Sequence, residues 1–220
     1  MSVTKYGFSH AVSAFYEMNR DAAKACLPAH LEPMEVKHGL GVFAVTAFHF
    51  TESMVGEYDE IVLAVITPPM VTPKGEWPRS AFYPFCVGTS TEAARLHAIE
   101  RWHLPHHMSD IAIDFNDQGE KIEAKVHEAG TPILDFTVAA HKWSDVNHLF
   151  QSFMSDQSGK YKADIHMAGG FTEHEEELGD LEIHPHAMTA TLLNADVQTF
   201  PFRELWMKDG VQTFEALETL

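Results

Sequence analysis

The chain has 220 residues, 45% of them hydrophobic, which suits one folded domain and excludes a disordered chain. Its 32 acidic and 15 basic residues give a formal net charge of −17, which repels phosphate backbones and anionic membranes and argues against either as a partner. No apolar run approaches the roughly 20 residues needed to cross a bilayer, and Met1 to Tyr6 lacks a signal-peptide pattern, so a cytoplasmic single domain over residues 1–220 is expected.

Ala11 to Met18 is aromatic and apolar and reads as a strand. Asn19 caps a short helix from Asp21 to Cys26, which Pro28 stops. Gly39 to Phe50 reads as a long strand. Tyr58 to Thr67 contains the unbroken apolar run Ile61 to Ile66, the mark of a strand buried on both faces. Thr67 to Ser80, with four prolines, is a loop that either joins a hairpin or covers a pocket.

Phe82 to Thr89 is a further strand, with Pro84 marking an edge or irregularity. Thr91 to Trp102 reads as a helix with Ser90 or Thr91 as cap, Glu92 in its first turn and Pro105 beyond its end. Ile111 to Phe115, Lys121 to Glu128 and Ile133 to His141 form a meander. In Ser144 to Asp156, Val146, Leu149, Phe150, Phe153 and Met154 fall at helical spacing, so a helix is expected there. Strands are expected at Tyr161 to Met167 and Met188 to Phe200, and a solvated acidic loop at Glu173 to Glu177.

Many strands and few helices suggest a curved or closed, mostly antiparallel sheet of the α+β class, whose interior is a natural ligand site. The chain holds no GxGxxG, P-loop, GxSxG or HExxH motif, and no cofactor is expected. Cys26 and Cys86 form no CxxC pair and read as reduced, buried thiols. Chemistry therefore falls to His97, Glu100, His103, His106 and His107. These could complement a helix C-terminus, handle protons in a pocket, or hold a metal ion. His184-Pro185-His186 is a second cluster, read first as a surface turn. Glu57 to Glu60 stand before the most apolar strand, where a carboxyl at a barrel mouth would have a raised pKa and could act as general acid or base.

The order of these segments resembles the acetoacetate decarboxylase family from about residue 5 to 207. The resemblance rests on Ala14 to Met18, the short helix before Pro28 to Pro33, the long strand Gly41 to Phe50, the Gly56-Glu57-Tyr58-Asp59-Glu60 element, and Ala98-Ile99-Glu100 followed by Leu104-Pro105-His106. It implies a cone-shaped β-barrel with flanking helices, an apolar pocket for a small molecule, and a homo-oligomer. It also implies that His106 and His107 stand where the family carries a lysine pair, and imidazole cannot form the imine that this lysine makes. The family's pocket glutamate falls on Ala44 and its pocket arginine near Ser9. Lys74, Lys121 and Lys125 offer no obvious replacement.

The expectation is thus an enzyme acting on a keto acid or related carbonyl compound by non-covalent acid/base chemistry of the lyase, hydratase or isomerase type. His106, Glu60 and Glu100 would be catalytic, and Tyr58, Cys86, His103 and His107 would bind substrate, with no metal. A non-catalytic metabolite-binding protein and a histidine-based metal enzyme are the alternatives.

Overall fold

The computed structural model describes residues 3–220. β1 (Thr4–Asn19) runs into α1 (Arg20–Ala25), whose first free amides, those of Asp21 and Ala22, donate to the Asn19 side chain. β2 (Leu40–Glu52), β3 (Tyr58–Thr67) and β4 (Ala81–Thr89) continue from it as an antiparallel meander. α2 (Glu92–Trp102) starts at Thr91, whose hydroxyl accepts from the Ala94 amide. It ends at His103, which takes the left-handed conformation (φ 54°), and Pro105 prevents its continuation. Then come β5 (Ala112–Asp117), β6 (Lys121–Glu128), β7 (Thr131–Ala139), β8 (Ser144–Asp156), β9 (Gly159–His174), β10 (Asp180–Ile183), β11 (Arg203–Phe214) and β12 (Glu218–Thr219).

Seven strands close into a barrel in the order β11-β1-β2-β3-β4-β8-β9, and β9 pairs back onto β11. Closure leaves none of those seven as a terminal edge strand. The β4–β8 joint is the barrel's parallel pairing, with Ala81 opposite Gln151 and Phe82 opposite Ser152. The β9–β11 seam is tight. A Cβ on Gly210 would lie 2.4 Å from Phe8 Cζ and 2.5 Å from the Ala168 carbonyl oxygen, so only glycine fits there. β12 pairs with β9, and the other four strands form a second sheet, β10-β7-β6-β5, laid on the barrel's outer wall.

The unbroken apolar run of β3 serves two different neighbourhoods. Ile61, Leu63 and Val65 join Ile122, Ala124, Leu134, Phe136 and Val138 in the core between barrel and second sheet. Val62 and Ile66 face the barrel interior with Phe15, Val42, Ala44 and Phe48. β2 divides in the same way, so both strands are buried on both faces, as their composition predicts. Membership of an α+β, mostly antiparallel barrel fold with two flanking helices therefore holds.

Two expected elements are different. Ser144–Asp156 is a strand, not a helix. Its pairing with β9 runs the whole length of the segment, and burial on both faces around Phe150 to Met154 hides the period of two that would have announced it. Met188 to Phe200 is not a strand. It is a set of tight turns in which the amides of Thr189, Leu192 and Ala195 each donate three residues back, and Met188, Leu192 and Ala195 plug the outer core. β10 and β11 were not anticipated; Lys208-Asp209-Gly210 inside β11 has the composition of a turn.

Two surface readings are also refined. Glu173 is not part of a free acidic loop but ends β9 between Arg79 and Arg203, accepting from both guanidinium groups. The proline-rich segment 68–80 joins β3 to β4 and contributes no side chain to the interior cavity. The buried Gln151 amide holds it by both backbone groups of Met70. Among the described residues, no helix is long and apolar enough to cross a membrane.

Candidate active site

The barrel interior is not filled. It holds a cavity of about 100 Å³, with walls from β1, β2, β3, β4, β8, β9 and β11. Phe48, Val62, Phe82, Phe150, Met167 and Met207 typify the wall, and Trp102 and Leu104 enter from the end of α2 and the turn after it. The polar groups are few: Ser13, Thr46, Ser152, Gln212 and Glu60. Ser13 and Thr46 already satisfy each other across β1 and β2, hydroxyl to hydroxyl at 2.9 Å. Among the described residues, no lysine, arginine or histidine lines the space.

Among the described residues, Glu60 is the only ionisable side chain in that wall. β3 places it there because Tyr58, Glu60 and Val62 alternate with Asp59 and Ile61, which point the other way. Its neighbours in register are Phe48 on β2 and Thr89 on β4. It has no hydrogen-bond partner among the described residues, and burial alone pushes its carboxyl up to about 8 from the ordinary 4.5. Its remaining accessible surface is compatible with that burial, since it borders the enclosed cavity. At neutral pH Glu60 is mostly a neutral acid. It can donate a hydrogen bond into the cavity, and its carboxylate form would be a strong base for a carboxyl.

Beside it lies an aromatic group. Tyr58 packs on Phe50 with ring centroids 4.9 Å apart, and burial pushes its hydroxyl pKa well up, with Glu60 adding to the effect. Trp102 Nε1 donates to the Tyr6 hydroxyl at 2.7 Å, and Tyr6 is bonded in turn to His97 Nε2 at 2.7 Å. This chain ties the C-terminal turn of α2 to β1 and fixes the Trp102 side of the cavity wall.

The other expected site residues do not gather at Glu60. His106 bridges to Val87 beside β4, Val87 pairs with Val62, and Glu60 pairs with Thr89. One whole strand therefore separates Glu60 from His106, which puts their backbones roughly 10 Å apart or more. His106 Nδ1 donates to the His107 carbonyl at 2.7 Å, while its Nε2 is buried without a partner among the described residues. Burial, and to a lesser degree Arg95, holds this imidazole below its ordinary pKa. Glu100 is exposed, in a surface depression with Lys5, His97 and Arg101. His103 stacks on Tyr161 at 4.1 Å and bonds to Asp156 through Nδ1 at 2.7 Å. Cys86 turns toward the outer core, opposite Leu63, and burial pushes its thiol up to about 11. His107 reaches Glu128 instead.

A metal site built from Glu100, His103, His106 and His107 is not assembled among the described residues; only His107 enters a group of converging ligands. The residues that sequence reasoning missed at the cavity are Phe150, Ser152 and Met154, hidden in the misread helix, and Leu205, Met207, Gln212 and Phe214, on the unanticipated β11.

The architecture defines a class: a closed, mostly antiparallel barrel with an apolar interior cavity and a second sheet on its outer wall. The chain belongs to the acetoacetate decarboxylase family, whose model matches residues 4–188. Solved structures agree on the fold. Acetoacetate decarboxylase from Legionella pneumophila superposes with a TM-score of 0.70 at 16% identity, covering 100% of this chain and 87% of that one. An acetoacetate decarboxylase-like enzyme from Sphingomonas wittichii gives 0.61 at 13%, covering 100% and 94%. The enduracididine biosynthesis enzyme MppR, complexed with pyruvate, gives 0.63 at 10%, covering 100% and 91%. No curated protein matches the chain.

Proposed function

We propose that this protein is a small-molecule enzyme whose barrel cavity takes a neutral carbonyl compound and whose Glu60 exchanges a proton with it. The observation that carries the proposal is a lone carboxyl with a pKa near 8 in an otherwise apolar chamber. A carboxyl poised close to the working pH is suited to general acid and base catalysis, which contributes typically about 10²–10⁴-fold. The neutral acid donates to the carbonyl oxygen and polarises it. The carboxylate form removes a proton from the adjacent carbon. Both directions suit enolisation, isomerisation, or addition and loss of water next to a carbonyl.

The lining also selects the substrate. Burying a substrate carboxylate without a cation costs several kcal/mol, and among the described residues no cationic side chain faces the cavity. Ketones, enones and esters therefore fit better than free keto acids. The absence of a wall lysine argues against imine chemistry, so borohydride with a bound ketone should leave no covalent adduct. His106 lies outside the lining, and we assign it no part in the proton transfer.

The test is exchange of carbonyl-adjacent hydrogens for deuterium, followed by NMR across a panel of ketones, enones and esters in heavy water. Glu60→Gln keeps the shape and removes the acid. Its rate should fall by about 100-fold or more, and an unchanged rate would sink the assignment. Ligand binding that survives in Glu60→Gln, with no turnover by either form, would make the cavity a carrier site instead.

A further inference from the structure

Away from the cavity, three segments that are distant in sequence bring their side chains to one point. His107 stands in the turn after α2, Glu128 ends β6, and His186 lies in the turn that follows β10. Glu128 Oε2 is 2.6 Å from His107 Nε2 and 3.0 Å from His186 Nε2. The two imidazole rings are 5.3 Å apart and inclined at 65°, so their Nε2 corners converge instead of stacking. All three side chains are mostly shielded yet open on one side, at 16%, 27% and 12% exposure for His107, Glu128 and His186. Hydrogen bonds from Ser109, His107 and His186 hold the Glu128 carboxyl below its ordinary pKa.

We propose that His107, Glu128 and His186 bind a divalent transition-metal ion of the zinc class, with two imidazole nitrogens and one carboxylate oxygen as its protein ligands. The donor set decides the class. Two nitrogens and one oxygen suit zinc or iron(II), whereas magnesium and calcium favour all-oxygen shells. Metal–ligand bonds of about 2.0–2.2 Å at tetrahedral angles place donor atoms roughly 3.3–3.5 Å apart. The three donor atoms already lie within 4.8 Å of one another, so the two Glu128 contacts would open to that value on metal binding, and the open side admits water as a fourth ligand.

The cluster is preassembled by hydrogen bonds. His186 Nδ1 accepts from the Met188 amide at 3.2 Å, so in the metal-free form its proton sits on Nε2 and is donated to Glu128. Metal binding at the two Nε2 atoms requires the proton on each ring, His107 as well as His186, to shift to its own Nδ1, and it exchanges the long Met188 contact and the two Nε2–Oε2 bonds for metal–ligand bonds. The ion would pin the turn that carries the cavity residue Leu104 to β6 and to the turns beyond β10. A second group, Asp135, Glu182 and His184, offers a single imidazole, and Glu182 is 73% exposed. It makes a weaker site and an internal control.

The experiment uses the tag-free, chelator-stripped chain. Zinc is titrated against a chromophoric chelator, cobalt(II) is followed by its visible absorption, and melting is recorded with and without zinc. The expected result is one tight equivalent, the strong visible bands of four-coordinate cobalt, and a raised Tm. Glu128→Gln and His186→Asn should weaken binding by about 100-fold, at least as much as outer-shell changes do in known sites, while His184→Ala leaves it unchanged. Uptake that survives His186→Asn overturns the site, as does greater loss in His184→Ala. Should the variants not fold, the wild type still decides: no stoichiometric uptake and no four-coordinate cobalt spectrum overturns the proposal.

Discussion

β3 has two faces, and they meet opposite fates. Ile61, Leu63 and Val65 are covered by the second sheet and sit at or near zero exposure in a filled core. Glu60 and Val62, one residue out of phase, look into an enclosed space that no side chain fills. The strand chemistry is nearly the same on both faces. What differs is the opposing surface: the second sheet supplies Ile122, Phe136 and Val138 to one side, whereas across the barrel the facing side chains of β8, β9 and β11 pack around Phe48 and Ile66 but leave a cavity between them. A filled face stores stability, and an unfilled one stores a ligand site.

That contrast can be broken most strongly at Leu63. Leu63→Ala should cost about 2–5 kcal/mol, because the dense core between the sheets cannot collapse around the loss, as denaturant unfolding would show. A loss under about 1 kcal/mol would mean that the two faces are not different in kind.

Next in size is the effect of Glu60 on stability. Its folded pKa is raised, from the ordinary 4.5 to about 8. The unfolded chain therefore releases this proton first, and the native state loses stability as pH climbs from about 4.5 toward 8, with no further loss above that. Allowing for partial hydration through the cavity, Glu60→Gln should stabilise the protein by roughly 2 kcal/mol at pH 8.5 and by almost nothing at pH 4. Melting curves at the two pH values give the comparison. An equal effect at both would place the carboxyl in water and remove its catalytic rationale. A variant that is more stable and less active would be the signature of a functional group held against its own solvation.

Smallest are changes to the empty face. Val62→Ala should cost under about 1 kcal/mol, since it enlarges a space already present and removes few packed neighbours. Met154→Trp, which fills the chamber from β8, should shift stability by no more than about 1 kcal/mol in either direction yet abolish ligand binding, measurable by calorimetry with any ligand of the wild type. Retained binding in Met154→Trp would move the site out of the barrel.

How far the molecule could be read in advance differs from segment to segment. α2 was legible because caps are local: Thr91 accepts its own helix's amide, and Pro105 stops what His103 ends. β3 was legible because burial on both faces leaves an unbroken apolar run. Glu60 was legible as a group that desolvation would perturb, because a carboxyl opens that run. β8 was misread because its apolar residues satisfy a helical period as well as a strand buried on two sides, and only its pairing with β9 and β4 selects between them. β11 was missed because Lys208-Asp209-Gly210 has turn composition, while the tight seam at Gly210 is visible only once Phe8 and Ala168 are beside it.

The sequence alone therefore determined the strand-rich class, the capped helices, the family and the acid at the start of β3, because each depends on residues close to one another along the chain or on the order of such segments. Tertiary structure decided the rest. It closed the barrel through β11, placed one strand between His106 and Glu60, and brought His107, Glu128 and His186 together. Side chains that meet across strands are set by register and closure, and those are properties of long-range pairing that no local pattern encodes.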